Sequence, residues 1–168
     1  MRVAILLSGL VGANNKFGTG NQLDYRVSFD HFKKNILDVN ENVDTFIHSW
    51  SVEHSSGLKE LYKPKKALIE PQKDFNYRFN IGGYKGPSAF ESVRFFSMFS
   101  RWYSTQQVNM LKQQFEREQN FKYDFVLLTR FDLAYIRNFN FSDYDKNNFY
   151  VMGPDGGPHI GFNDLWFF

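Results

Sequence analysis

Val3-Ala-Ile-Leu-Leu7 is an unbroken apolar run of strand length followed by Ser8-Gly9, the pattern of a first strand buried on both faces and ending in a glycine turn. Tyr25, Phe29, Phe32 and Ile36 then recur at helical spacing, with Arg26, Asp30, Lys33 and Lys34 between them, which predicts an amphipathic helix of about four turns packed on that strand. Val43 to Trp50 is β-branched and aromatic and predicts a second strand running into a polar loop at Ser51 to Ser56. Ala67-Leu-Ile-Glu70 predicts a short third strand, cut off by Pro71.

Gly82-Gly83 and Gly86-Pro87 mark irregular backbone before the longest element. Ser88 and Glu91 form a Ser-x-x-Glu capping box, and no Pro or Gly follows as far as Gln119. Phe95, Phe99 and Trp102, then Val108, Leu111 and Phe115, keep helical spacing, so this helix is expected to bury most of its aromatics, to pack across the sheet and to brace the strand it feeds. That strand lies in the apolar run Lys122 to Tyr135, which delivers Arg130-Phe131-Asp132 at its carboxyl end. Open α/β sheets hold their ligand chemistry at such ends. Gly153 to Gly161 is rich in Gly and Pro and reads as a loop positioning Asp155 and His159, ahead of the apolar Leu165-Trp-Phe-Phe168. Strand and helix alternate as in an α/β protein with a mostly parallel sheet, and 168 residues suit a single domain.

Composition narrows the chemistry. Twenty basic and eighteen acidic residues leave a formal charge of +2, which argues against an extended polyanion surface. Lys65, Lys66 and Lys122 are scattered cations of the kind found on solvated faces, and no nucleic-acid partner is expected. Cysteine is absent, so thiol catalysis, Cys-based zinc sites and disulfides are excluded. Met1-Arg2 ahead of an apolar run has the outline of a secretory signal, but Gly9 and Gly12 break the run early, and a buried strand is the better reading. No run reaches the roughly 18 apolar residues of a membrane span, so a cytoplasmic location is expected. A Gly-x-x-x-x-Gly-Lys-Ser/Thr phosphate loop is also missing, which weakens a sulfotransferase-like or other phosphate-dependent reading.

Taken in order, Arg2-Val-Ala-Ile-Leu-Leu-Ser-Gly9, Val43-Asp-Thr-Phe-Ile-His-Ser-Trp50, Ser97-Met98, Tyr123-Asp-Phe-Val-Leu-Leu-Thr-Arg-Phe-Asp-Leu133 and Asn163-Asp-Leu-Trp-Phe-Phe168 resemble viral and bacterial glycosyltransferases of the GT-A type. The resemblance covers nearly the whole chain. It implies a Rossmann-like domain, its mixed and mostly parallel sheet flanked by helices, that passes a sugar from a nucleotide-sugar donor to a hydroxyl of a glycan acceptor. Leu7, Ser8 and Gly9 would then meet the nucleotide, although Ser8-Gly9 equally reads as a tight strand-to-helix turn, and His48 and Trp50 either line the donor pocket or pack the sheet edge. Many such enzymes end this strand in Asp-x-Asp, whose carboxylates hold Mn²⁺ or Mg²⁺ against the diphosphate. Here the pattern is Arg130-x-Asp132.

Several roles follow for these residues. Asp132 can hold the ion together with His159 or Asp164, or Arg130 can neutralise the diphosphate directly. In a purely structural alternative, Arg130 pairs with Asp132 or Asp124 and orders the strand end. Asp164 is the residue that the resemblance implies as general base, unless it merely caps a turn. Complete enzymes of this type run further, so the chain is expected to be shortened at its C-terminus. The rival class is a non-catalytic domain of the same fold that binds a nucleotide, a glycan or a protein.

Overall fold

The computed structural model describes residues 1–11, 24–75, 89–151 and 166–167, with only the backbone described for 89–95 and 166–167. Four strands form the parallel centre of the sheet: β1 Val3–Gly9, β2 Val43–Ser49, β3 Lys66–Ile69 and β4 Phe125–Thr129. Two short strands, β5 Tyr150–Val151 and β6 Trp166–Phe167, extend it in antiparallel pairing, giving the order β3-β2-β1-β4-β6-β5. This is the expected α/β, mostly parallel sheet, compatible with a Rossmann-like arrangement. The apolar Trp166–Phe167 segment sits inside the sheet, paired on both sides.

Alternation along the strands divides the core in two. Val3, Ile5 and Leu7 of β1, Ile47 of β2, and Phe125 and Leu127 of β4 face helices α1 (Tyr25–Phe32) and α2 (Ser55–Tyr62), which contribute Phe29, Phe32, Leu58 and Tyr62. Ala4, Leu6, Phe46, Val126 and Leu128 face the opposite way, toward Val108, Leu111 and Phe115 of helix α3 (Ala89–Gln119). Helices on both faces explain why β1 carries no polar residue before Ser8.

The structure corrects several sequence expectations. α1 starts where Asp24 caps it by accepting the Arg26 N–H at 3.0 Å, but it does not run on regularly to Ile36. From Lys33 to Leu37 it widens into a π turn. There the buried Asn35 donates its side-chain amide to the Tyr135 carbonyl at 2.5 Å and accepts the Phe139 N–H at 2.8 Å through its own carbonyl. The wider turn docks the chain that follows β4. The expected polar loop at Ser51 to Ser56 is a short 3₁₀ turn, Val52–His54, running into α2. α2 folds because it covers the core with Leu58 and Tyr62, and Gly57 leaves room for the Tyr25 ring laid against it.

As expected, α3 packs across the sheet: it lies closest to β1, β2 and β3, and its Val108 also meets the face that carries Val126 and Leu128 of β4. Its Phe96 is buried and Phe99, Tyr103 and Phe115 are partly so, whereas Trp102 is 55% exposed and does not join the core. The helix stops at Asn120, which takes a left-handed φ of 52°. The join to β4 is held by the buried Glu116 carboxylate, which accepts from the Tyr123 N–H, Lys112 and Lys122, each at 3.2 Å. Burial alone would raise the Glu116 pKa, but these donors more than offset it and hold the group below its ordinary value. No helix among the described residues is long and apolar enough to cross a membrane.

Phe46 is fully buried, with the Phe115 and Tyr123 rings edge-on at 5.7 and 5.9 Å. Phe46→Ala is expected to cost about 3–5 kcal/mol in urea unfolding, while Val27→Ala at a position 57% exposed stays within about 0.5 kcal/mol. A cost below about 1 kcal/mol for Phe46→Ala would contradict the packing of α3 on this face.

Candidate functional site

β1 and β4 are neighbours in the sheet, yet their connections leave on opposite faces. β1 leads through α1 on one face to β2, while β3 reaches β4 through α3 on the other. Such a reversal, at the carboxyl ends of the two strands, is where open α/β sheets place the crevice that binds ligands. The register pairs Leu7 with Thr129, so Ser8-Gly9 and Arg130-Phe131-Asp132 emerge side by side.

On the β1 side, the Leu7 side chain is core, and Ser8 lies beside His48 in the register. Gly9 has a φ of +108°, which disfavours any L side chain, although a Cβ there would meet nothing within 4 Å. The backbone angle, not crowding, therefore selects glycine. The Gly9 carbonyl accepts from the Ser49 hydroxyl at 3.0 Å and the Trp50 N–H at 3.3 Å, and the Val11 N–H donates to Ser51 Oγ at 3.0 Å.

On the β4 side, the residues after the strand divide between core and solvent. Phe131 and Tyr135 turn inward, and the Tyr135 hydroxyl pairs with Thr129 Oγ1 at 2.7 Å in a buried contact. Burial pushes the Tyr135 phenol above its ordinary range. Arg130 and Asp132 face outward as a two-pronged pair: Arg130 Nε donates to Asp132 Oδ1 at 2.8 Å and Nη2 to Oδ2. Asp124, the other partner considered for Arg130, accepts the Arg2 N–H at 2.7 Å. The pair keeps substantial solvent access, 44% for the arginine side chain and 23% for the aspartate.

Both Asp132 oxygens are engaged by the guanidinium, so a cation could use this carboxylate only after the pair opens. Among the described residues no cluster of three or more His, Cys, Asp or Glu is arranged to hold a metal ion. Asp155, His159 and Asp164 lie outside the described residues.

His48 and Trp50 belong to a buried network beside the crevice that the sequence did not reveal in full. His48 points toward α3, with Nδ1 2.6 Å from Ser104 Oγ and Nε2 3.3 Å from Glu70 Oε1. Glu70 also accepts from the Tyr103 hydroxyl at 3.1 Å and pairs with Lys73 at 3.5 Å. Burial would raise the Glu70 pKa, but the His48, Tyr103 and Lys73 donors outweigh it and hold the carboxyl below its ordinary value. An ionised Glu70 calls for an Nε2–H on His48, which leaves Nδ1 to accept from Ser104. Trp50 stacks on Tyr103 at 5.5 Å and meets His48 edge-on at 4.6 Å, with Phe75 and Phe96 closing the cluster. Ser, His and Glu are the residue types of a hydrolytic triad. Here Ser104 and His48 are about 1% and 0% exposed, so the network serves to fix the ends of β2 and β3.

A cavity of about 450 Å³ lined by Lys59, Lys63, Pro64, Lys65, Lys66 and Ala67 lies at the amino end of β3, the opposite edge of the sheet from the crevice. Two of its lysines are paired, Lys65 with Asp44 at 3.3 Å and Lys66 with Glu118 at 2.9 Å. No family model, curated protein or solved structure matches this chain.

Burial holds the His48 pKa below its ordinary 6.5, against the opposing pull of Glu70. The folded state therefore binds this proton more weakly than the unfolded chain. The resulting stability is fully present above 6.5 and is lost as pH falls through the folded value. In urea titrations across this range, the advantage of the wild type over His48→Gln is expected to shrink on acidification. An advantage that grows on acidification would mean that His48 is charged in the folded protein.

Proposed function

We propose that this protein is a glycosyltransferase of GT-A type, taking a sugar from a nucleotide-sugar bound in the β1–β4 crevice and passing it to a hydroxyl of a glycan or related acceptor. One observation carries the reading. A glycine turn at φ +108° and an outward-facing arginine–aspartate pair stand side by side on adjacent strands at the point where the crossovers reverse. The ordered motifs from Arg2 to Phe168 add the resemblance to this enzyme class.

In this reading the backbone at Ser8 and Gly9 approaches the nucleotide closely. Arg130 exchanges its carboxylate partner for the diphosphate, because its planar fork suits either pair of oxygens. As the bond from the anomeric carbon to the diphosphate oxygen breaks, the guanidinium stabilises the charge gathering on the leaving group. The new bond forms from that carbon to the acceptor oxygen, and the acceptor proton passes to a carboxylate, the role assigned to Asp164. Asp132 holds Arg130 at the correct angle before the donor arrives. Mn²⁺ or Mg²⁺ with Asp132 and His159 is the metal-assisted form of the same proposal, and no step above requires it.

A second reading, a non-catalytic domain that binds the nucleotide or a glycan, draws support from the saturation of Asp132 by Arg130. The two are separated by transfer assays with UDP-, GDP- and CMP-sugars, each with Mn²⁺ and with a chelator. Arg130→Ala is expected to lower turnover by about 10²–10³-fold, the scale of removing one donor to a developing anion. Its stability should change by only about 0–1 kcal/mol, because the pair is exposed. Nucleotide binding without transfer would favour the second reading. Arg130→Ala and Asp132→Ala variants as active as the wild type would overturn the proposed role of the pair.

A further inference from the structure

We propose that Ser49 and Ser51 are positioning residues that set the course of the ligand-facing turn after β1; this rests on the reading of the β1–β4 crevice as a nucleotide site. Past Gly9 the chain leaves β1 at a positive φ, so the sheet ladder no longer determines its path. The Ser49-Trp50-Ser51 segment takes over that task. Two donors from it, the Ser49 hydroxyl and the Trp50 N–H, converge on the Gly9 carbonyl, and Ser51 Oγ accepts the Val11 N–H. The serines are also tied to each other, because the Ser51 N–H donates to Ser49 Oγ at 3.1 Å.

Both serines are essentially without solvent access, at 0% and 1% exposure, so water cannot replace a lost hydroxyl. The clamp is itself anchored, since Trp50 is packed between Tyr103, Phe75 and His48, and His48 is fixed by Ser104 of α3 and Glu70 after β3. Packing on the α3 face is thereby transmitted to the backbone at Gly9–Val11. That backbone is the part of the crevice that a nucleotide would approach most closely.

Removing the Ser51 hydroxyl leaves the Val11 N–H buried without its acceptor and frees the turn. A generic loss of stability is separated from loss of position by Thr45→Val. Thr45 likewise donates a buried hydrogen bond, to the Tyr62 carbonyl at 2.7 Å, but toward the amino end of β2, away from the turn after Gly9. The experiment measures the affinity of UDP, GDP, CMP and their sugar conjugates by calorimetry, together with the amide exchange rate of Val11. Wild type, Ser51→Ala and Thr45→Val are compared well below their unfolding midpoints.

Ser51→Ala is expected to speed Val11 exchange and weaken the bound nucleotide about tenfold or more, the scale of an unpaired buried amide, while Thr45→Val keeps wild-type affinity. Ser49→Ala leaves the Trp50 N–H on the Gly9 carbonyl and carries the same comparison if Ser51→Ala does not fold. Wild-type affinity in a serine variant whose Val11 amide exchanges freely would overturn the inference and leave the functional reading standing. Equal weakening by Thr45→Val would overturn it as a positioning role. A wild-type chain that binds none of these nucleotides would defeat the functional reading, and the inference with it.

Discussion

Burial of β1 on both faces is the constraint from which the rest of this architecture follows. Val3, Ala4 and Ile5 are fully shielded, and Leu6 and Leu7 nearly so, because α1 and α2 cover one face and α3 the other. A strand shielded in this way must have its backbone polar groups paired along both edges, and β2 and β4 supply those partners in parallel. The chain can build such a centre only by sending one crossover over each face. That requirement places the reversal of direction beside β1. The switch point at the ends of β1 and β4 is thus a by-product of making a dry central strand, and the residues that emerge there inherit a rigid support.

Polar groups are handled differently inside and outside this support. The interior polar groups among the described residues are satisfied by partners within the protein: His48 by Ser104 and Glu70, Thr129 by Tyr135, Glu116 by its three donors. No buried side-chain nitrogen or oxygen among the described residues lacks a partner. Satisfied networks of this kind rigidify a fold and leave little for a ligand to bind. The Arg130–Asp132 pair is of another kind, because it is strong in geometry yet open to water. Its net contribution to stability is small. Rearranging it around an anionic ligand therefore costs little, which suits a site that must exchange partners.

Much of the core was legible in the sequence because it rests on local pattern. The apolar runs at Val3, Val43 and Phe125 are strands, and the long stretch free of Pro and Gly up to Gln119 is a helix. Gly9, Arg130 and Asp132 could be singled out because they follow such runs directly. α2 was missed because Ser55-Ser56-Gly57 has the composition of a turn, while the signal lay in Leu58 and Tyr62 four residues apart. Trp102 looked like core beside Phe99, but the helix turns Phe99 and Tyr103 inward and leaves Trp102 at the surface. The partners of His48 were invisible for a different reason. Glu70 and Ser104 lie 22 and 56 positions away, and only the packing of α3 across β2 and β3 brings them together. The same holds for Ser49 and Ser51, which clamp Gly9 and Val11, each serine 40 positions downstream of its partner.

The central claim is that the β1–β4 crevice is a nucleotide-sugar site, and amide chemical-shift mapping of the isotope-labelled chain tests it most directly. UDP, GDP, CMP and their sugar conjugates would each be titrated with and without Mn²⁺. The account predicts saturable shifts from one nucleotide class, centred on Ser8 to Val11 and Arg130 to Asp132. Shifts centred instead on the Lys59–Lys66 cavity at the other edge of the sheet, or none with any nucleotide, would contradict it.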